Sequence, residues 1–147
     1  DLRNKFLNKE PPKNYPKKIY IDRSDSKSNH RDLRKVTNED EIFDFLKKEG
    51  FSIIRLGDLN FIDQVNLFNN ASQIIGLHGA GFANLVFCKP NTFVLEFKSI
   101  TAGNVIGNLA RNQSINFHEI AIKPLSEDNN QQGLISVPID EIRKKLS

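Results

Sequence analysis

One run, Gln73 to Phe87 (QIIGLHGAGFANLVF), constrains the fold more than any other part of the chain. Its first residues are apolar and β-branched, as a short buried strand requires. Small residues around His78 follow, at Gly79, Ala80 and Gly81, and Phe82, Leu85 and Val86 then open a short helix with one apolar side. A strand that passes through a glycine turn into a helix N-terminus aims several backbone N–H groups at one place. That geometry suits an anion, above all a phosphate. Glycine at 79 and 81 permits positive φ and close approach of a ligand to the backbone. The spacing is neither a Walker A loop nor the dinucleotide fingerprint: Gly76, Gly79 and Gly81 do not form G-x-G-x-x-G, and no Gly-Lys-Ser/Thr follows.

The chain around this unit alternates between strand and helix patterns, the signature of a mainly parallel α/β sheet in a three-layer, Rossmann-like domain. Strands are expected at 19–22, 51–55, 73–76, 92–97 and 115–121. Asn38 reads as the N-cap of a first helix, with Glu41 three residues on completing a capping box and Gly50 ending it. Asn60 reads as the cap of a second helix, with Phe61, Val65 and Phe68 on its apolar face. Further helices are expected over 103–111 and from Pro138 through Leu146. The polar stretches 24–30 and 123–133 read as loops.

Pro11, Pro12 and Pro16 among Lys and Asn make 1–17 an extended connector, and 18–147 the folded domain. At 147 residues the chain has the size of one domain. It contains no Met, even at its start, and so reads as part of a longer protein. A net charge of +3 is mild, and the Lys13, Lys17 and Lys18 cluster has only Tyr15 and Tyr20 near it, too little for a nucleic-acid face. Cys88 is the single cysteine, which rules out an intrachain disulfide. No leader pattern opens the chain, and no apolar run approaches the ~20 residues of a membrane span. The expected location is the cytoplasm, with the inner-membrane surface as a second address.

Ligands of parallel α/β sheets bind beyond the carboxyl ends of the strands. Arg23 after the first strand, His78 after the third and Glu96 at the end of the fourth are expected at one such edge. Arg23 suits a diphosphate because its fork donates bidentately and stays charged. Arg34 is a second such candidate, ahead of Arg31. His78 suits a phosphate or sugar contact, or a proton transfer, and is the catalytic candidate. Asn84 either meets the nucleotide or braces the loop. Glu96, between Leu95 and Phe97, is a charge on an apolar strand and requires a partner. His30, His78 and His118 are far apart, and no Asp-x-Asp motif occurs, so no metal site is expected.

Taken in order, IYIDRS at 19–24, Arg34, the Asn38-Glu39 pair, Gln64 to Phe68, Ala71, His78 to Gly81 with Asn84 and Phe87, Pro90 and Val94-Leu95-Glu96 resemble the family 61 glycosyltransferases, including bacterial polysaccharide-biosynthesis members. The resemblance is strong from 18 to 97. It implies one lobe of a GT-B fold, with the other lobe N-terminal to this chain. It implies transfer of a sugar from a nucleotide sugar, UDP-linked, to a glycan or other hydroxyl acceptor, without metal or cofactor. On the same grounds the donor is expected at Arg23, Arg34, Glu39, His78, Gly79, Ala80, Gly81, Asn84 and Glu96, with Glu96 suited to ribose hydroxyls. Gln64 is expected to pack its helix to the loop. An α/β-hydrolase with a His-Gly oxyanion loop is a competitor, but no Gly-x-Ser-x-Gly elbow exists to supply its nucleophile. A non-catalytic nucleotide- or glycan-binding module is the remaining alternative.

Overall fold

The computed structural model describes residues 14–22, 36–100, 105–112, 114–123 and 135–147. Five strands form one sheet: β1 (Lys18–Asp22), β2 (Ser52–Arg55), β3 (Gln73–Leu77), β4 (Phe93–Ser99) and β5 (Asn116–Ile122), in the order β2-β1-β3-β4-β5. Every neighbouring pair is parallel. The period of two splits the core cleanly. Ile19, Ile21, Ile74 and Val94 point to one face, and Tyr20, Ile75, Leu77, Leu95 and Phe97 to the other.

Helices cover both faces, which makes three layers. On the first face lie α2 (Phe61–Asn70), the 3-10 helix Ala80–Phe87 and α3 (Val105–Asn112). On the second lie α1 (Glu39–Lys48) and α4 (Ile139–Leu146), which bury Ile42, Leu46 and Ile142. Gly76 sits in the middle of this packing. A β-carbon there would stand 3.2 Å from Phe82 Cζ and 3.3 Å from Ile21 Cβ. The bare backbone lets the Phe82 ring lie on β3 directly.

Local signals hold at several ends. Asn60 Oδ1 accepts from Asp63 N at 2.8 Å, so α2 is capped as expected. Gly50 has φ 91° just past α1, the left-handed position at which helices stop on glycine. The capping box at Asn38 does not form. The Asn38 side chain makes no bond to its own helix; its Nδ2 donates to Val137 O at 2.7 Å and its Oδ1 accepts from Val137 N at 3.0 Å. Phe61, expected on the buried face of α2, is half-exposed and meets Phe87 edge-on. β4 runs to Ser99, two residues beyond the expected end at Phe97.

Residues 14–17 of the expected connector are tied to the domain. Tyr15 OH donates to Asp63 Oδ1 at 2.7 Å, and Asn70 Nδ2 donates to Tyr15 O at 2.8 Å. The preceding residues, the expected loop at 24–30 and all but Lys123 of the expected loop at 123–133 lie outside the described residues.

Candidate functional site

The strand order places the site. From β1 the chain crosses to β2 on one side, then returns past β1 to β3 on the other. The two connections diverge between the carboxyl ends of β1 and β3, the switch point where open parallel sheets hold ligands. Asp22 ends β1 there, and Leu77 ends β3. The residues that leave β3 at this point are His78 and Gly79.

His78 still belongs to the sheet in part, since its N–H donates to Phe97 O at 2.7 Å. Gly76 is the register partner of Glu96, and His78, two residues on, returns to the same face of the sheet. There His78 Nδ1 lies 2.6 Å from Glu96 Oε2. The Glu96 side chain is 1% exposed and that of His78 18%, so a buried carboxylate holds an imidazole that reaches the surface. Gly79 follows with φ 157° and ψ −172°, a conformation that belongs almost to glycine alone. The 3-10 helix starts at Ala80, and the opening N–H groups of any helix have no acceptor within it.

A second polar cluster supports the loop from α2. Gln64 Nε2 donates to Leu56 O at 2.9 Å and to Leu59 O at 3.2 Å, while Gln64 Oε1 accepts from Asn84 Nδ2 at 3.1 Å. One glutamine thereby ties the turn after β2, helix α2 and the 3-10 helix together. Of the two roles open to Asn84, this bond provides the brace.

Glu96 is not at the end of its strand, because β4 continues through Lys98 and Ser99. Its partner is a histidine of the neighbouring loop. Glu39 accepts a 2.9 Å bond at Oε2 from the OH of Tyr20, which is fully buried on the opposite face from Glu96. Burial first, and then the charge of Glu39, raises the Tyr20 phenol well above its usual 10.0. Arg23, Arg34 and Arg31 lie outside the described residues.

Four charged groups of the sheet escape a reading by sequence alone. Asp22, 8% exposed, stands in register with Arg55, whose Nε is 3.7 Å from its Oδ2. Lys98 is buried and its Nζ lies 2.8 Å from Glu119 Oε2. Glu119 is itself the register partner of Glu96. The available signal was the spacing of Glu96 and Lys98, two charges on one side of an otherwise apolar strand. Among the described residues, no group of three His, Cys, Asp or Glu side chains is placed to hold a metal ion. No helix among them is long and apolar enough to cross a membrane.

A five-stranded parallel sheet with helices on both faces, and a glycine turn with an anchored histidine at its switch point, defines a Rossmann-like α/β domain. The family follows from comparison. The glycosyltransferase 61 family model matches residues 1–95, and the chain belongs to that family. It is 31% identical over 91 residues to the mouse EGF domain-specific O-linked N-acetylglucosamine transferase, covering 58% of this chain and 17% of that protein. It is 34% identical over 79 residues to the Arabidopsis thaliana beta-1,2-xylosyltransferase, covering 45% and 15% respectively. The chicken EGF domain-specific transferase is 29% identical over 91 residues, 58% of this chain and 17% of its own length. The chain thus spans under a fifth of these relatives.

Proposed function

We propose that this chain is the donor-binding lobe of a GT-B glycosyltransferase, which transfers a sugar from a UDP-linked donor to a hydroxyl acceptor without a metal ion. The observation that carries this reading is His78, held by buried Glu96 at the β1/β3 switch point where the glycine turn begins. Family membership and relatives named for N-acetylglucosamine and xylose transfer support a sugar donor.

The chemistry suits such a site. The acceptor oxygen bonds to the anomeric carbon of the sugar as the bond from that carbon to the diphosphate breaks. The electron pair leaves with the diphosphate, and the hydroxyl proton passes to a general base outside the residues assigned here. Charge therefore grows on the diphosphate. Preorganised N–H donors of residues 79–81 and the His78 ring stabilise it in place of a divalent ion. In this reading Arg23 adds a bidentate donor from the end of β1.

The test is a thermal melt of the 147-residue chain with UDP, with and without EDTA. A rise in Tm with UDP that survives EDTA is expected. No rise at any UDP concentration, or a rise strictly dependent on Mn²⁺ or Mg²⁺, overturns the reading. The chain by itself is expected to transfer no sugar, because GT-B chemistry needs the closed cleft between two lobes.

A further inference from the structure

The sheet has a second polar edge, at the amino ends of its strands and so opposite the glycine turn. The strands begin there in line: Ser72 N donates to Lys17 O at 2.7 Å, Phe93 N to Ser72 O at 2.9 Å, and Asn116 N to Thr92 O at 3.0 Å. Gln73, Phe93 and Asn116 therefore form one row across β3, β4 and β5, and all three point to the second face. His118 returns to that face and stacks on Phe93, with ring centroids 5.1 Å apart. The end of α4 brings Lys145 and Leu146 to the row, and together they line a cavity of about 360 Å³. That volume lies toward the lower end of the range for small-molecule sites, about 300–1,000 Å³.

The lining has the mixed character that a sugar ring requires. Phe93 and His118, both partly exposed, make a wall for its C–H groups. His118 Nε2 donates to Asn116 Oδ1 at 2.9 Å, and Asn116 Nδ2 and the Gln73 side-chain amide make no hydrogen bond among the described residues. Such amides both donate and accept, as hydroxyls do. Lys144 and Arg143 pair with Glu141 and Asp140, whereas Lys145 makes no ion pair among the described residues. No carboxylate lines the cavity, so its charge is that of one ammonium. One ammonium matches a carboxylate better than a phosphate monoester, which carries about −1.5 to −2 at pH 7. We propose that this cavity is a second binding site, for a sugar that carries a carboxylate: Gln73 and Asn116 bond its hydroxyls, Phe93 and His118 meet its C–H groups, and Lys145 pairs with the acid. A site here is independent of the donor site proposed above, which lies beyond the opposite ends of the same strands.

The experiment titrates glucuronate, glucose and acetate into the 147-residue chain and follows its backbone amide signals by ¹⁵N NMR. Glucuronate is expected to shift the signals of Gln73, Phe93, Asn116 and His118 saturably. It is expected to bind about tenfold more tightly than glucose, which has the ring without the charge. Acetate, which has the charge without the ring, is expected to give no saturable shift. Lys145→Ala is expected to bring glucuronate down to the affinity of glucose, and Gln73→Ala to weaken both sugars. Lys145 is exposed and Gln73 only partly buried, so both variants are expected to melt as the parent does. If Gln73→Ala does not fold, the three ligands on the parent and Lys145→Ala decide. Shifts that do not saturate overturn the proposal, as does acetate acting as strongly as glucuronate. Equal affinity for glucose and glucuronate, or unchanged glucuronate affinity in Lys145→Ala, overturns it too. UDP is expected neither to shift these signals nor to compete with glucuronate, and competition overturns a separate site. A chain that binds glucuronate here but no UDP loses only the donor-site reading.

Discussion

Asn38 grips the peptide of Val137 from both sides, donating from Nδ2 to its carbonyl at 2.7 Å and accepting at Oδ1 from its N–H at 3.0 Å. The contact fastens the start of α1 to the segment that leads into α4. Beside it, Thr37 N donates to Ile135 O at 2.8 Å, and Val36 and Ile135 form a parallel bridge. α1 and α4 therefore lie together on the second face as one unit, held by a short two-strand clasp.

Asn38→Ala is expected to destabilise the domain by about 1–3 kcal/mol, because two hydrogen bonds are lost and the Val137 peptide groups lose their partners. Asn38→Asp keeps the acceptor but not the donor, and is expected to fall between parent and Ala. Urea melts of the three proteins check the order. Equal midpoints would show that the clasp contributes nothing to stability.

Gln64→Glu is expected to lower Tm although the two side chains have nearly the same shape. A carboxylate has no N–H for the carbonyls of Leu56 and Leu59, and its charge faces those oxygens instead. The bond from Asn84 can persist, so the damage begins at the turn after β2 and not at the 3-10 helix. Gln64→Met, uncharged and also unable to donate, is expected to be milder. A thermal melt of both variants separates lost donors from added charge.

These contacts mark where sequence reasoning succeeds and stops. All five strands were legible, because β-branched and aromatic runs alternating with helix patterns carry a local signal. The cap at Asn60 was legible because its partner, Asp63, is three residues away. The cap at Asn38 misled because its amide finds a partner 99 residues away, which no local pattern can register. For Glu96 the need for a partner was plain from its apolar neighbours, but its identity depended on the register Gly76↔Glu96. Lys98 was missed by the expected end of β4 at Phe97, since a lysine after an apolar run resembles a strand terminus. Residue types reveal the need for compensation, and the sheet register supplies the partner.

Stability is expected to fall at alkaline pH, beginning near pH 9. Burial pushes the Cys88 thiol up from its usual 9.0 to about 12. Below pH 9 both folded and unfolded states keep the proton, so its contribution is fully present there. Between about 9 and 12 the unfolded chain releases the proton first, and stability drops as pH rises. Tyr20, raised by burial and then by Glu39, adds the same sign above its usual 10.0. Cys88→Ala removes the thiol's share and is expected to flatten the slope of Tm against pH above 9. A slope identical to that of the parent contradicts this account.

Arg23→Ala and Gly79→Val are expected to weaken UDP binding for different reasons, which makes them useful together. Arg23 directly follows the end of β1 at Asp22, beyond the buried strand residues Ile19 to Ile21. Its loss is expected to leave Tm nearly unchanged while removing a hydrogen bond to a charged group. Such a bond is worth roughly 1.5–3 kcal/mol, or about ten- to a hundred-fold in affinity. Gly79→Val acts on the backbone instead. At φ 157° and ψ −172° a β-branched residue is strained, and Gly79 is buried, so the turn itself must shift. Loss of binding is expected here together with a lower Tm. Titration of UDP into both variants, paired with melts, separates recognition of charge from geometry of the loop. If both variants bind UDP and melt as the parent does, the turn after β3 is only a connection, and the family membership retains its fold without the site assigned to it here.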